Sequence, residues 1–260
     1  MRSLFNMAGL WRGRPRPEPV FRIPEDLRVY AVGDVHGCLE SLEKLEALIA
    51  RSAAGFRGTT NIVFLGDYVD RGPDVSGVIE HLKSGRFAGH PAFFLVGNHE
   101  DILLRIFEEP ALMPAWLRWG GMATLASYGV GLPRGVGPDE RNRILSAALY
   151  EAIPPAHLEF LQNLQLTISI GDYLFVHAGI RPGRPMARQS RNDMLMIREP
   201  FLSSRRPLPV RVVHGHSVSF EPEILPCRIG VDTGAFATGN LSCVMLEGDR
   251  AEIFSSGSMR

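Results

Sequence analysis

Residues 61–74, NIVFLGDYVDRGPD, decide the reading of this chain. The apolar run 62–65 reads as a buried strand that stops at Gly66, and the loop beyond it holds Asp67, Asp70 and Arg71 before Gly72-Pro73. Val75, Val78, Ile79 and Leu82 then recur at helical spacing. Strand, charged loop and helix make one βα unit. The same unit precedes it, with a strand over residues 27–32, a loop from Gly33-Asp34, and an apolar face of Leu39, Leu42, Leu45, Leu48 and Ile49. It follows again, with a strand over 92–96, the loop Gly97-Asn98-His99-Glu100 and an apolar helix over 102–107. Three strands alternating with helices require crossovers and a parallel sheet. Ligands bind beyond the carboxyl ends of such strands. All three polar loops lie there.

The rest of the chain limits what such a site serves. At 260 residues, with 45% hydrophobic and 22% charged residues, the composition is that of one folded domain. Lys+Arg and Asp+Glu each number 28, so no net field draws the whole protein to nucleic acid or to an anionic membrane. Cys38, Cys227 and Cys243 are widely spaced, which suggests neither a disulfide framework nor a zinc knuckle and fits a reducing cytoplasm. No apolar run approaches the roughly 20 residues needed to span a bilayer. Residues 1–22, where Arg12, Arg14 and Arg16 alternate with Gly and Pro, read as a flexible basic tail, and 23–260 as a single domain. Residues 108–164 read as a helical insert within it, with a Gly-rich break over WLRWGGMATLASYGVGLPRGVG at 116–137 and a new helix after Pro154-Pro155, placed to cap the site. Short strands over 167–170, 173–176, 210–213, 229–231, 241–246 and 251–254 follow, and read as antiparallel.

Five apolar strands end in metal-competent groups: GDVHG at 33–37, GDYVDRG at 66–72, GNHE at 97–100, VHAG at 176–179 and HGH at 214–216. Asp and His together suit divalent transition metals, and flanking glycines let the backbone turn sharply enough to aim side chains into one crevice. Asp67 has the two oxygens needed to bridge a pair of ions. Singly, an Asp after a strand is more often a helix cap and a His a hydrogen-bonded core residue. Recurrence at five strand ends weakens that reading. His81, His90 and His157 lack this context and read as structural.

The ordered set GDVHG, GDYVDRG, GNHE, HAG and GHS resembles the signature of the calcineurin-like metallophosphoesterases, specifically the serine/threonine phosphoprotein phosphatases in their bacterial and phage branch. The resemblance implies a four-layer α/β/β/α sandwich with a dinuclear site between its sheets. It implies Asp34 and His36 on one metal, Asn98, His177 and His216 on the other, and Asp67 bridging. His99 matches the general acid, Asp70 the carboxylate that orients it, and Arg71 and Arg198 the two phosphate-binding arginines. Met196 stands where a Trp is usual before that second arginine, and Val218 where wider relatives carry a further histidine. His214 is left beside the site. Two divalent ions, manganese by preference with iron or zinc as alternatives, are expected from the same resemblance.

These residues predict a metal-dependent phosphomonoesterase, with a phosphoserine or phosphothreonine protein as the first expected substrate. The alternative is a symmetrical hydrolase of diadenosine tetraphosphate, since residues 229–248 resemble the tails of both kinds of enzyme. Glu100, in GNHE rather than GNHD, tilts the expectation to the protein phosphatase. Trp116, Arg118 and Trp119 would furnish a wall for a nucleotide, yet WLRW at helical spacing reads first as a core-facing pair around one exposed charge.

Overall fold

A computed structural model describes residues 20–206 and 208–258. Strands β1 (Leu27–Val32) and β2 (Thr59–Phe64) pair in parallel, Tyr30 opposite Ile62 and Val32 opposite Phe64. Helix α1 (Leu39–Ala53) connects them and buries Leu42, Leu45 and Ile49 of its apolar face. Helix α2 (Val75–Leu82) follows β2 and is capped by Asp74, whose carboxylate accepts from the Gly77 N–H at 2.8 Å. The short strand β3 (Arg86–Phe87) turns antiparallel into β4 (His90–Phe94), which lies parallel to β2. Helix α3 (Asn98–Ile106) starts just beyond it.

The insert folds as α4 (Met113–Trp116), α5 (Met122–Ser127), α6 (Pro138–Ala152) and α7 (Pro155–Gln162). A wide turn over Leu117–Gly121 joins α4 to α5 and kinks at Gly120, whose φ is 113°. A Cβ there would strike the side chain of Arg71. The glycine break is therefore narrower than expected, because the helix resumes past Gly121.

A second sheet has the order β5-β6-β7-β9-β8, from β5 (Thr167–Ile170), β6 (Tyr173–Val176), β7 (Arg211–His214), β8 (Glu223–Ile224) and β9 (Arg228–Gly230). Helix α8 (Arg191–Met196) lies between β6 and β7 in sequence, and α9 (Ala235–Thr238) follows β9. Strands β10 (Ser242–Glu247) and β11 (Arg250–Ser255) return to the first sheet, giving β11-β10-β1-β2-β4-β3. Both sheets are mixed. The expected antiparallel second half holds for β5 with β6, β8 with β9, and β10 with its neighbours, but β6, β7 and β9 run parallel. The long connection over residues 177–210 carries the chain back to the start of the sheet, so β6 and β7 end at the same edge.

Alternation along the strands builds two cores. Val29, Ala31, Val63 and Leu65 pack between the sheets against Phe175, Val213, Ile229 and Val231. Tyr30, Val32, Ile62 and Phe64 face the helices. On the outer face of the second sheet Leu174, Val176 and Val212 meet Met194, Ile197 and Phe201, so the fourth layer is α8 with irregular chain around it. The expected tail falls, for residues 1–19, outside the described residues, and Phe21 already packs in the core between the sheets. Among the described residues no helix is long and apolar enough to cross a membrane. The three cysteines are free.

Candidate metal and phosphate site

Both sheets deliver their strand ends to one crevice. Asp34 and His36 follow β1, Asp67, Asp70 and Arg71 follow β2, Asn98 and His99 open α3, His177 follows β6, and His216 follows β7. His36, Asp67, Asp70, Arg71 and His216 have φ values of 44°, 55°, 70°, 67° and 61°. Side chains rarely adopt that left-handed region, and clusters of such residues mark functional sites. Two glycines are dictated by close approach: a Cβ on Gly97 would strike Asp67 Oδ1, and one on Gly215 would strike Asp34 Oδ1.

Among the described residues two groups of ligand atoms converge, each within 4.8 Å: His36, Asp67 and His99, and Asp67, His177 and His216. Asp67 belongs to both. Asn98 Oδ1 lies 2.9 Å from His177 Nε2 and 2.9 Å from His216 Nδ1. His36 Nε2 is buried without a hydrogen-bond partner. Burial pulls the His36 pKa down to about 3, and burial first, with His177 close beside it, pulls His216 down to about 3. Both imidazoles are therefore neutral, the form that offers a lone pair to a metal. Burial alone would raise Asp67, but His177, His99 and His36 together hold it below the usual carboxylate range and ionised. Neutral imidazoles, an ionised carboxylate and an amide oxygen fit divalent transition cations, and the orphaned His36 nitrogen is the observation that favours one.

Asp34 stands apart from both groups of three, where His99 takes the place expected for it. Both Asp34 oxygens lie 3.1 Å from the His216 backbone N–H. Burial first, then Asp232 and Asp67, push its pKa well above the carboxylate range. A nearby cation would reverse that balance.

On the other flank His99 Nδ1 lies 2.6 Å from Asp70 Oδ2. Asp70 is fully buried and also accepts from Trp116 Nε1 at 3.0 Å and from the Thr124 hydroxyl at 2.6 Å. Burial raises its pKa, against the hydrogen bond from His99. Burial lowers that of His99, but Asp67 and Asp70 outweigh it and the net direction is upward. Arg71 Nη2 stands 3.0 Å from His99 Nε2, and its guanidinium lies over the Phe236 ring at 4.6 Å. A guanidinium only donates, so Nε2 accepts here and Nδ1–H donates to Asp70. The two carboxylates favour a second proton on His99 once Arg71 turns away. Arg198 is exposed, and its charge is among those that depress His216. His214 is buried and turned aside, donating from Nδ1 to the Gly215 carbonyl at 3.0 Å.

Four further residues support the site in ways the sequence does not reveal. Glu100 is fully buried and accepts from the N–H groups of Asp67, Tyr68, Val69 and Gly97 at 2.7–3.1 Å. Burial and Asp67 still push its pKa up to about 7. Trp116 and Thr124 hold Asp70, and Asp232 faces Asp34. Glu100 and Asp232 leave a trace in sequence as polar residues just past strands, and Trp116 as the first residue of WLRW.

Residues 27–238, which contain all of these loops, match the calcineurin-like phosphoesterase family. The chain belongs to that family. This phosphoesterase is thus a hydrolase of a metal-dependent class. It is 28% identical over 229 residues to the asymmetrical bis(5'-nucleosyl)-tetraphosphatase PrpE of Oceanobacillus iheyensis, covering 80% of this chain and 84% of the relative. It is 30% identical over 156 residues to the symmetrical bis(5'-nucleosyl)-tetraphosphatase of Methylococcus capsulatus, covering 60% of this chain and 44% of the relative. A crystal structure provisionally assigned as a diadenosine tetraphosphatase superposes with a TM-score of 0.61 at 26% identity, covering 88% of this chain and 93% of that one.

Proposed function

We propose that this phosphoesterase hydrolyses dinucleoside tetraphosphates, in place of the phosphoprotein substrate first expected from the sequence. What supports the reading is that relatives matched over four fifths of the chain are named for that substrate. The residue that tilted the expectation the other way has a different use. Glu100 is buried on main-chain N–H groups, so its extra methylene over Asp serves the loop it supports and does not discriminate substrates.

In this reading Asp34, His36 and Asp67 hold one divalent cation and Asp67, Asn98, His177 and His216 the other, with manganese as the expected metal. Bound there, the pair supplies Lewis acidity for attack of water on phosphorus. Arg71 leaves His99 for the phosphate oxygens, joined by Arg198, because a planar guanidinium donates two parallel hydrogen bonds and stays charged. His99, freed at Nε2 and oriented by Asp70, takes the second proton and passes it to the departing oxygen. A phosphate chain leaves more readily than a serine alkoxide, so this enzyme draws less on His99 than a protein phosphatase would.

One manganese-loaded preparation offered diadenosine tetraphosphate and a phosphoserine peptide tests the reading. The dinucleotide is expected to have the higher kcat/KM by at least about tenfold, or ~1.4 kcal/mol of transition-state preference. The reverse order would restore the protein phosphatase.

A further inference from the structure

Four rings run across the mouth of the site. Trp119 packs on His99 at 5.7 Å between centroids, His99 on His36 at 4.7 Å, and His36 on Phe236 at 5.4 Å. An aromatic side chain thus stands on each side of the candidate metal ligands. Trp119 is half-buried and Phe236 is 39% exposed. Each borders its own groove. The one beside Trp119 has a volume of about 360 Å³, and its polar lining is Asn98, Asn192, Arg105 and Arg191 with a single acid, Asp101. The one beside Phe236, about 440 Å³, is lined by Glu40, Glu43 and Asp74 and by no basic residue.

The two grooves differ in charge, and a substrate with a base at each end and phosphates between would register against that difference. Arg105 pairs with Glu109 at 3.3 Å and Arg191 with Asp101 at 2.8 Å, all of them at least a quarter exposed. Exposed pairs of this kind are weak, and a polyphosphate, with more charge and more acceptor oxygens, displaces such carboxylates. In the other groove Glu40 is paired with Lys44 at 2.6 Å, but Glu43 and Asp74 keep the lining acidic, which disfavours the same group.

We infer that the Arg105 and Arg191 groove binds the longer phosphate arm of the cleaved dinucleotide, with Trp119 at its entrance, while the Phe236 groove takes the short arm and its base. Resting on the function proposed above, this places the scissile phosphorus off the centre of the chain. Water adds to that phosphorus, the bridging P–O bond breaks, and the products are one nucleoside triphosphate and one nucleoside monophosphate.

The test begins with the products of diadenosine tetraphosphate, expected as ATP and AMP in equal amounts. In the Arg105→Ala/Arg191→Ala variant the ratio of kcat/KM for the dinucleotide to that for p-nitrophenyl phosphate should fall about tenfold or more, chiefly through KM. Asp101→Asn, which removes the competitor for Arg191, should lower KM for the dinucleotide. Should the double variant fail to fold, the wild type decides: with divalent cation in excess, tripolyphosphate should inhibit p-nitrophenyl phosphate hydrolysis about tenfold more tightly than orthophosphate. Two molecules of ADP, a ratio within about twofold of wild type, or equal inhibition by the two anions would overturn the assignment. Cleavage of the dinucleotide with any of those outcomes sinks this inference alone. No cleavage of it, with release of phosphate from the phosphoserine peptide, sinks the proposed function with it.

Discussion

The three loops of the first sheet hold one another, whereas the histidines of the second are held by the first. Val35 and His36 both donate their N–H to the Asp67 carbonyl, at 3.1 and 2.8 Å, and Glu100 gathers the N–H groups of residues 67–69. His177 instead comes straight off β6 and reaches across to the Leu65 carbonyl with Nδ1 at 2.9 Å, while the His216 N–H rests on Asp34. The first sheet is a cross-braced frame, and the second adds imidazoles to it. Damage to the frame should spread through the site, and damage to an added ligand should stay local.

Asp67→Asn probes the frame where it meets both groups of ligand atoms. Loss of one negative charge there should strip metal and reduce turnover to background together, as metal analysis and rate measurements on one sample would show. Two retained ions with activity within a few-fold of wild type would refute a shared carboxylate.

Glu100→Gln and His177→Asn set the two regions against each other. Replacing one acceptor oxygen of Glu100 with an amide that only donates should lower activity about 10–100-fold, the range for residues that orient metal ligands, and should also lower the melting temperature. His177→Asn should lose metal from one site with little change in melting temperature. If both variants melt alike, the bracing does not distinguish the sheets.

Trp116→Phe is the smallest of these changes, since it keeps a ring in the core and removes only the N–H that reaches Asp70. Leaving that buried carboxylate short of a donor should cost about 1–3 kcal/mol of stability, measured by denaturant unfolding. A change under about 0.5 kcal/mol would mean that Thr124 and His99 suffice to hold Asp70.

The frame was the legible part. Strand β1 and the apolar faces of α1 and α2 follow from periodicity, and each polar loop sits where a parallel sheet must put it. The second sheet was harder to read. Its short strands alternate like hairpins, and nothing local tells that the chain over 177–210 returns β7 parallel to β6. Trp116 reads as core and is fully buried, but its N–H finds Asp70 through tertiary packing across 46 positions of sequence. Trp119, its apparent partner, turns out beside His99 because Gly120 kinks the chain there. Glu100 looked like part of a motif, and only the turn at 67–69 reveals which N–H groups it serves.

Five non-glycine residues in left-handed backbone surround the crevice. Each such conformation costs of the order of 1 kcal/mol or more that glycine would not incur. Selection for heat resistance and selection for turnover therefore pull these positions in opposite directions. A screen that rewarded only survival of heating would drift toward glycine at the exposed Arg71, and its winners would be robust and inert.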